Sequence, residues 1–350
     1  ARGDSGQQAV VTAMTRIGRQ WYWTIALLCA SSVARAYDVD HDAVGVSRSE
    51  FIEYMVAAHA FDRVTLTEML GEAEILDRVL EAISRPAERV MPWDEYRELF
   101  VTASRIEAGA AFWLAHEDNI REAGARYGVA PEMLVAILGI ETLYGQRTGT
   151  YRVVDSLSTL AFAYPPRSPF FTSELEEYLL LAREEGIDPR DTLGSYAGAM
   201  GAGQFISSSF RAYAVDGSGD GRRDLWGDWQ DVFASVANYF KVHGWQHGEP
   251  VVARATLGAE WAGPEPENSM ELTETVASAS QLGYIFSTDL PGTAATTILS
   301  LQGEAEQEYW IGFHNFRVIT RYNHSVKYAL AAHELGLAVR VAYERLRDGA

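Results

Sequence analysis

The pattern of hydrophobic and polar positions changes several times along the chain. Residues 48–128 carry apolar side chains at spacings of three and four, which predicts several amphipathic α-helices. Residues 129–249 contain more glycine turns and several tryptophans, a composition typical of loops that build a site on a helical frame. Residues 250–317 lose the helical period and contain β-branched runs broken by Pro and Gly, which predicts strands. Residues 319–346 return to the helical pattern.

This pattern predicts a mainly α protein of the α+β class with a small β subdomain. We divide the chain into an upstream and signal segment, an α-helical subdomain, a central core, the β subdomain and a helical segment that completes the core. The corresponding ranges are 1–36, 37–128, 129–249, 250–317 and 318–350.

Length and charge narrow the classes of function. A chain of 350 residues that is 47% hydrophobic is long enough to bury a large core. Its 29 basic and 48 acidic residues give a formal charge of −19, which argues against nucleic-acid binding because a phosphate backbone requires clustered Lys and Arg. The single cysteine, Cys29, excludes an intramolecular disulfide and a CxxC metal site, so redox chemistry is not expected.

The N-terminal residues have the features of a secretory signal peptide. Two arginines precede an apolar run from Trp21 to Cys29, and the small residues of Ala34-Arg35-Ala36 follow it. The run is too short to span a bilayer, so we expect cleavage and a mature chain that begins near Tyr37. Residues 1–13 lie upstream of this signal. A lipid anchor on Cys29 is disfavoured because Leu28 precedes the cysteine, where a lipid-attachment box has a small residue.

The clearest helix is predicted to begin at Pro131 and to stop at Gly145. Glu141 follows Ile140 directly and Ile137 by four positions, which places its carboxyl group beside an apolar stripe near the helix C-terminus. Desolvation and the negative end of the helix dipole would both raise its pKa and keep a proton available for donation. The alternative is an ordinary Glu at the edge of a surface helix.

A run of small residues lies downstream of this helix. Residues 194–201 contain three glycines, so the backbone there can approach a ligand closely. The run leads into Gln204-Phe205, where an amide can bind sugar hydroxyls or N-acetyl groups and a ring can pack on a pyranose face. The alternative is close packing of the backbone within the protein.

Several blocks together resemble the membrane-bound lytic transglycosylase B family, glycoside hydrolase family 103, over roughly residues 45–345. The blocks are Ile140-Glu141-Thr142 with Tyr144-Gly145, Tyr164-Pro165, Gly194 to Gly201, Gln204-Phe205, Ser235 to Phe240 and Thr320-Arg321-Tyr322-Asn323. The resemblance implies a lysozyme-like catalytic core joined to an α-helical and a small β subdomain. It also implies a periplasmic enzyme that binds peptidoglycan glycan strands.

The resemblance further implies a set of site residues. Glu141 matches the family's catalytic glutamate. The matching substrate-binding residues are Ser195, Gln204, Phe205, Arg167, Tyr322, Asn323 and Tyr328. The chain departs from the family at Pro166, where a second arginine is common, and at Ile206-Ser207, where Met-Pro is common. One cationic contact is therefore missing, which affects subsite affinity and peptide-stem preference rather than the chemistry.

The expected reaction follows from the lone carboxyl group of the matched motif. Ordinary glycosidases need a second Asp or Glu as nucleophile or base. With Glu141 alone, the substrate's N-acetyl oxygen would attack the anomeric carbon, and Glu141 would act first as acid and then as base toward the C6 hydroxyl. The product would be a 1,6-anhydro ring formed without water. The alternatives are a hydrolytic muramidase and a non-catalytic peptidoglycan-binding module.

A second constellation follows the pattern of an EF-hand calcium loop. Asp216, Ser218 and Asp220 stand at loop positions one, three and five, and the Arg222 carbonyl can serve at position seven. Position twelve is a glycine instead of a Glu, so closure would have to come from Asp228 or Asp231, and the resemblance makes Asp231 the better candidate. We therefore expect structural Ca²⁺ and no organic cofactor; the alternative is a solvated acidic turn.

The remaining candidates receive no function. The histidines lack the spacing of metal ligands, and the tryptophans are more typical of core packing. They are His243, His247, His314, Trp226, Trp229 and Trp245. The expected partners are glycan strands and cell-wall synthesis or recycling proteins, and we expect a monomer.

Overall fold

The computed structural model describes residues 46–84, 91–259, 261 and 263–349. The predicted signal peptide, Cys29 and the predicted start near Tyr37 lie outside these residues. The α-helices that precede the central core are α1 (Arg48–His59), α2 (Arg63–Gly71), α3 (Asp77–Ser84), α4 (Trp93–Phe100), α5 (Ala103–Ala115) and α6 (Glu117–Tyr127). Ordinary polar caps begin several of them: Ser47 forms a capping box with Glu50, and Asp62 and Thr102 each accept a backbone N–H.

Helix α7 (Pro131–Thr142) is buried on all sides rather than along one stripe. It packs most extensively on α14 (Val326–Asp348) and also against α5, α6 and α11 (Trp229–Val242). The remaining helices of this part of the chain are α8 (Val153–Ala163), α9 (Ser168–Glu185), α10 (Ser207–Tyr213) and α13 (His314–Tyr322). Within the described ranges, no single helix is long and apolar enough to cross a membrane, although α6 and α7 pass the length and composition test when combined across a 115° bend.

The end of α7 differs from the sequence prediction. The helix stops at Thr142 instead of Gly145, because Leu143, Tyr144 and Gly145 all take left-handed backbone conformations, with φ of 51°, 59° and 80°. The Thr142 hydroxyl oxygen accepts a hydrogen bond from the Gly145 N–H at 2.9 Å, which stabilises this turn. Glu141 is therefore the penultimate residue of the helix.

The β region forms one five-stranded antiparallel sheet. Its strands are β3 (Val252–Leu257), β4 (Glu274–Thr275), β5 (Tyr284–Ile285), β6 (Ala295–Gln302) and β7 (Gln307–Gly312), in the order β4-β6-β7-β3-β5. A short helix, α12 (Val276–Gln281), joins β4 to β5, and the sheet has a small core of its own that includes Tyr284, Ile298 and Phe313. A second, two-stranded sheet pairs β1 (Tyr151–Arg152) with β2 (Leu193–Gly194) and brings the small-residue run against the central helices.

Candidate active site

Glu141 lies under two buried tyrosines from the C-terminal helices. The Tyr328 hydroxyl donates a hydrogen bond of 2.6 Å to Glu141 Oε1, although the two residues are 187 positions apart. Burial and the Glu141 charge raise the pKa of both Tyr322 and Tyr328 well above its usual range, so both phenols stay protonated. Tyr328 can therefore act as a permanent donor to the Glu141 carboxyl group.

The residue after Glu141 connects the helix end to the small-residue segment, residues 194–205. The Thr142 hydroxyl donates to the Ala202 carbonyl at 2.8 Å, and the Ala202 N–H donates to the Leu225 carbonyl at 2.9 Å. The Tyr322 hydroxyl donates to the neighbouring Gly203 carbonyl at 2.6 Å. These bonds join α7, α13 and the small-residue segment around the Glu141 carboxyl group.

The small-residue segment is a compact turn. The Ser195 N–H donates to the Ala199 carbonyl, and Met200 and Phe205 exchange two backbone hydrogen bonds of 2.8 and 2.9 Å. A Cβ atom at Gly201, where φ is +68°, would lie 2.5 Å from the Leu225 carbonyl oxygen, so close backbone packing requires glycine there. The structure thus supports the packing interpretation of this glycine; both interpretations agree that the backbone approaches closely.

Ser195 and Gln204 have their polar atoms partly committed to this turn. The Ser195 Oγ accepts from the Ala197 and Ala199 N–H groups at 3.3 and 3.0 Å. Gln204 adopts a left-handed backbone, with φ of 52°, and its amide nitrogen donates to the Thr148 and Gly201 carbonyls at 3.1 and 3.0 Å. A non-glycine residue held at positive φ costs free energy, which is typical of functional positions. The Gln204 carbonyl oxygen is the amide atom left to accept from a ligand.

The other predicted contacts lie around this centre. Phe205 is only 3% exposed, and its ring packs edge-on against Tyr322 and Tyr239 at centroid distances of 6.1 and 6.0 Å. The ring therefore packs into the core beside Gln204. Its contact with a sugar stays a prediction. Asn323 directly follows the last residue of α13.

Arg167 belongs to a short 3₁₀ helix, Pro165–Arg167, just before α9. Its guanidinium lies 4.5 Å and 5.1 Å from the ring centroids of Phe170 and Phe171. Burial lowers its pKa, while the nearby Tyr164 and Tyr196 oppose that shift. The cation is thus held in place by aromatic rings at the position that the resemblance gives to a substrate contact.

Buried tyrosines beside the site were missed by the sequence interpretation. Tyr239 of α11 contacts the Tyr322 ring at 4.9 Å and donates to the Arg321 carbonyl at 2.5 Å. Tyr96 of α4 is 1% exposed and acts electrostatically on Tyr328. Neither residue interrupts the apolar period of its helix, so no local signal distinguishes either from a core residue.

The tryptophans and histidines that received no function occupy structural positions. Trp226, Trp229 and Trp245 pack against the core, where Trp229 contacts Phe112 at 4.9 Å. His243, His247 and His314 each bond a backbone carbonyl, those of Tyr239, Gly128 and Gly244 respectively.

The acidic loop is closed by hydrogen bonds to its own backbone. Asp216 accepts from the N–H groups of Gly219, Asp220 and Gly221, and the Gly221 bond is the largest cause that holds the pKa of Asp216 below its usual value. The Asp220 carboxylate accepts from the Arg222 N–H. Such local bonds to charged acceptors stabilise the loop conformation.

Asp231 joins the two ends of this loop. It is fully buried in the first turn of α11, and its carboxylate accepts from Gly217 at 2.8 Å, Ser218 at 3.1 Å and Asp224 at 2.7 Å. Asp228, the other candidate for closure, caps α11 instead.

The loop's donors are carboxylate, hydroxyl and carbonyl oxygens, a set that suits a hard cation such as Ca²⁺. In the part of the chain that the structure describes, no group of three or more His, Cys, Asp or Glu side chains is arranged to hold an ion. The fit is therefore one of donor chemistry and loop order. An ion would have to draw Asp216, Asp220 and Asp231 together.

Residues 46–337 match the protein family described as Transglycosylase SLT domain. The chain is 42% identical over 302 residues to the membrane-bound lytic murein transglycosylase B of Escherichia coli strain K12. The match covers 84% of this chain and 82% of that protein.

Solved structures agree with this match. The E. coli lytic transglycosylase Slt35 in complex with calcium is 41% identical, with a TM-score of 0.77 and coverage of 85% of this chain and 93% of that chain. The same protein has also been solved with bulgecin A. SltB3 of Pseudomonas aeruginosa, in complex with NAG-anhNAM-pentapeptide, is 31% identical with a TM-score of 0.73, and the match covers 85% of this chain and 78% of that chain. The predicted fold class, a mainly α lysozyme-like core with a small sheet, is confirmed.

Proposed function

The chain belongs to the SLT-domain transglycosylase family and is a lytic transglycosylase that cleaves peptidoglycan, and from this premise we propose that Glu141 performs both proton transfers of the reaction. The observation that carries the proposal is the 2.6 Å bond from the buried Tyr328 hydroxyl to Glu141 Oε1. A carboxyl group held by a permanent donor keeps its orientation in either protonation state. It can therefore give up a proton and later accept one without moving.

The first step breaks the glycosidic bond between MurNAc and GlcNAc. Protonated Glu141 gives its proton to the bridging oxygen, while the N-acetyl oxygen of the MurNAc sugar attacks its anomeric carbon. The GlcNAc side leaves with a new hydroxyl group. Glu141 is left as a carboxylate that the Tyr328 hydroxyl stabilises by a charge-assisted hydrogen bond.

The second step releases the product. The Glu141 carboxylate removes the proton from the C6 hydroxyl of the same sugar, whose oxygen attacks the anomeric carbon and displaces the N-acetyl oxygen. A 1,6-anhydro ring forms, Glu141 regains its proton, and water is not consumed. Because one group serves as acid and then base, no second carboxylate is required beside it.

Ser195 and Gln204 are the proposed contacts to the N-acetyl group and neighbouring hydroxyls. Because the Ser195 Oγ already accepts two backbone N–H groups, its own hydrogen is available to donate to an amide carbonyl. Because the Gln204 nitrogen donates to two backbone carbonyls, its oxygen is available to accept an N–H or O–H. Phe205, Tyr322 and Asn323 would complete the floor of this subsite.

Arg167 is the proposed contact to an anionic part of the substrate, such as a peptide stem. Its guanidinium is held by Phe170 and Phe171 and retains its charge at any physiological pH. Pro166 replaces the arginine that is common at this position in the family, so Arg167 would be the single cation in contact with the anionic group. Lower affinity for the peptide stem follows.

We further propose that the acidic loop holds a structural Ca²⁺ through Asp216, Ser218, Asp220, Asp231 and the Arg222 carbonyl. Support comes from the oxygen donors of the loop and from the calcium complex of Slt35. The ion would supply a cross-link between the loop and α11 and no reaction step.

The proposed location is the periplasm, after removal of the predicted signal peptide. The relative from E. coli is named as membrane-bound and acts on murein, which is consistent with an enzyme at the cell wall. The proposed partners are glycan strands and proteins of cell-wall synthesis or recycling, and the proposed state is a monomer.

Mass spectrometry of purified peptidoglycan after digestion tests the reaction. We expect 1,6-anhydromuropeptides, each lighter by one water molecule than the hydrolytic product. Muropeptides with a free reducing MurNAc would instead identify a hydrolytic muramidase. Glycan binding with neither product would identify a binding module.

A further inference from the structure

The helix that follows the Gln204-Phe205 segment has an unusual N-terminus. Helix α10 begins at Ser207, and its N-cap residue, Ile206, has no side chain that can accept a backbone N–H. Glu174 of α9 takes that role from 34 positions away: its Oε2 accepts from the Ser208 N–H at 3.1 Å, and its Oε1 accepts from the Ser208 hydroxyl at 2.6 Å. The cap of α10 is therefore supplied by another helix.

The contact between Glu174 and the N-terminus of α10 is buried. Glu174 is 4% exposed, and Ser207 is 1% exposed. The Ser207 hydroxyl has no hydrogen-bond partner among the described residues, so it does not substitute for Glu174. A buried helix terminus without an acceptor is costly, since its N–H groups cannot reach water.

The N-terminus of α10 lies next to the Gln204-Phe205 segment of the proposed substrate site. Gln204 and Phe205 are separated from Ser207 only by Ile206, and Phe205 is fixed on its other side by two backbone bonds to Met200. A displacement of the α10 N-terminus would therefore be transmitted to Gln204, whose left-handed backbone has little freedom to absorb it.

The opposite end of α10 is tied to the same helix. Arg211 of α10 forms ion pairs with Glu177 and Glu184 of α9. Arg223 of the acidic loop pairs with Glu185 of α9. Helix α9 thus holds α10 at both ends, but only the Glu174 contact is buried and adjacent to the site.

The charges that face Glu174 come from three elements. Glu177 lies one turn further along α9 and raises the pKa of Glu174. Arg167 of the 3₁₀ helix is attracted to the Glu174 charge, and Arg211 of α10 is already paired. The only ionisable side chain in α8, Asp155, is paired with Arg152.

Burial is the main cause that raises the pKa of Glu174, to about 7, and the Ser208 bonds oppose it. The carboxyl group therefore changes charge near neutral pH. As a carboxylate it accepts both Ser208 bonds in charge-assisted form. As a neutral acid it can accept the Ser208 N–H and donate to the Ser208 hydroxyl, so the cap is retained but weaker.

We propose that Glu174 is a positioning residue for glycan binding: its carboxylate holds the N-terminus of α10, and through it the Gln204-Phe205 segment, in the conformation that contacts the substrate. The inference rests on the proposed role of Gln204 in the substrate site. Glu174 itself contacts no substrate. Binding should tighten as the pH rises through about 7, because the charged cap is the stronger one.

The test is E174Q, with E176Q on the same helix as the matched control. Gln keeps the shape of Glu and the hydrogen-bonding pattern of the neutral acid, so E174Q should behave as the wild-type protein does at low pH. With a soluble GlcNAc-MurNAc glycan, we expect the KM ratio of E174Q to wild type to be about one at pH 5.5 and roughly fivefold at pH 8, with little change in kcat. E176Q removes a charge from α9 where Glu176 contacts Tyr54 and His59, away from the cap, and should give a ratio that does not vary with pH.

A second measurement separates this proposal from the proposed function. In an E141Q background, which prevents turnover, the dissociation constant for the same glycan is measured for Q204A, E174Q and the double variant at pH 8. If Glu174 acts through Gln204, E174Q should add almost nothing once Q204A is present. Full additivity, or a pH-independent KM ratio for E174Q, would overturn the positioning role. A Q204A variant that binds normally would instead contradict the proposed substrate site.

Stability gives an independent readout of the same group. Glu174 has a pKa near 4.5 in the unfolded chain and about 7 in the folded protein, so the folded state binds more protons between these values. Its contribution to the free energy of unfolding should therefore fall as the pH rises through this window. Wild type should lose stability relative to E174Q over that range; parallel curves would contradict the buried ionisation.

Discussion

The Glu141 site and the acidic loop both depend on carboxylates, but they hold them in opposite ways. Glu141 is held by a tyrosine 187 positions away, whereas Asp216 is held by amides no more than five positions away. As proposed calcium ligands, the loop carboxylates would need only to stay charged, and local N–H groups hold the pKa of Asp216 below its usual value. In the proposed mechanism the Glu141 carboxyl group changes its protonation state, which requires a donor that does not itself titrate. Burial of Tyr328 provides one.

The comparison predicts that the two sites fail differently when they are altered. Changes at Glu141 and Tyr328 should reduce turnover and leave the fold intact. Changes in the loop should reduce stability and leave the chemistry largely intact at low temperature.

The largest expected effect is that of E141Q. The amide keeps the shape of the side chain but cannot carry the proton in either step, so we expect kcat to fall by about 10²- to 10⁴-fold. Release of anhydromuropeptides measures turnover, and circular dichroism and glycan binding serve as controls for folding. Activity within tenfold of wild type, with an unchanged spectrum, would remove Glu141 from the mechanism.

Y328F should have the next largest effect. It deletes the hydroxyl that donates to Glu141 and keeps the buried ring, so the carboxylate formed in the first step loses a charge-assisted bond. Such bonds contribute roughly 1.5–3 kcal/mol, and we expect kcat to fall by about 10- to 100-fold. Y343F, on the same helix but stacked on Trp113, is the matched control and should retain its activity. Equal losses in both variants would indicate that damage to α14, rather than the Glu141 contact, is responsible.

The smallest effect on activity should come from the paired variant D216A/D220A in the loop. It removes two proposed ligands and the cap of the loop amides, so the melting temperature should fall and its rise with added calcium should disappear. A bound ion stabilises the folded state by about 2.7 kcal/mol at a hundredfold excess over Kd. Calorimetric titration of the metal-stripped wild type checks the site. Absence of heat and of a melting shift at millimolar calcium would leave the acidic turn as the correct interpretation.

The two regions also differ in how far their local structure could be predicted. The order of acids and glycines in the loop predicts an EF-hand-like turn, and the structure contains a local turn there that is closed by hydrogen bonds to its own backbone. Ion binding by this turn stays a prediction. The end of α7 was predicted wrongly, at Gly145, because three left-handed residues in succession are held by the Thr142 hydroxyl rather than by glycine alone. The Glu174 cap of α10 was not predicted, since the acceptor comes from a different helix.

The sequence by itself determined the family, the fold class and the position of Glu141 near a helix C-terminus, because motif order, hydrophobic period and helix-breaking residues are local properties of the chain. Only the tertiary structure decided which groups surround that carboxyl group. The contacts come from distant segments: Tyr328 donates to Glu141, and Thr142 donates to Ala202. The Tyr322 hydroxyl donates to Gly203 in the adjoining turn. Their hydrogen bonds form when packing excludes water and brings the helices together, and no periodicity in the sequence records such a meeting.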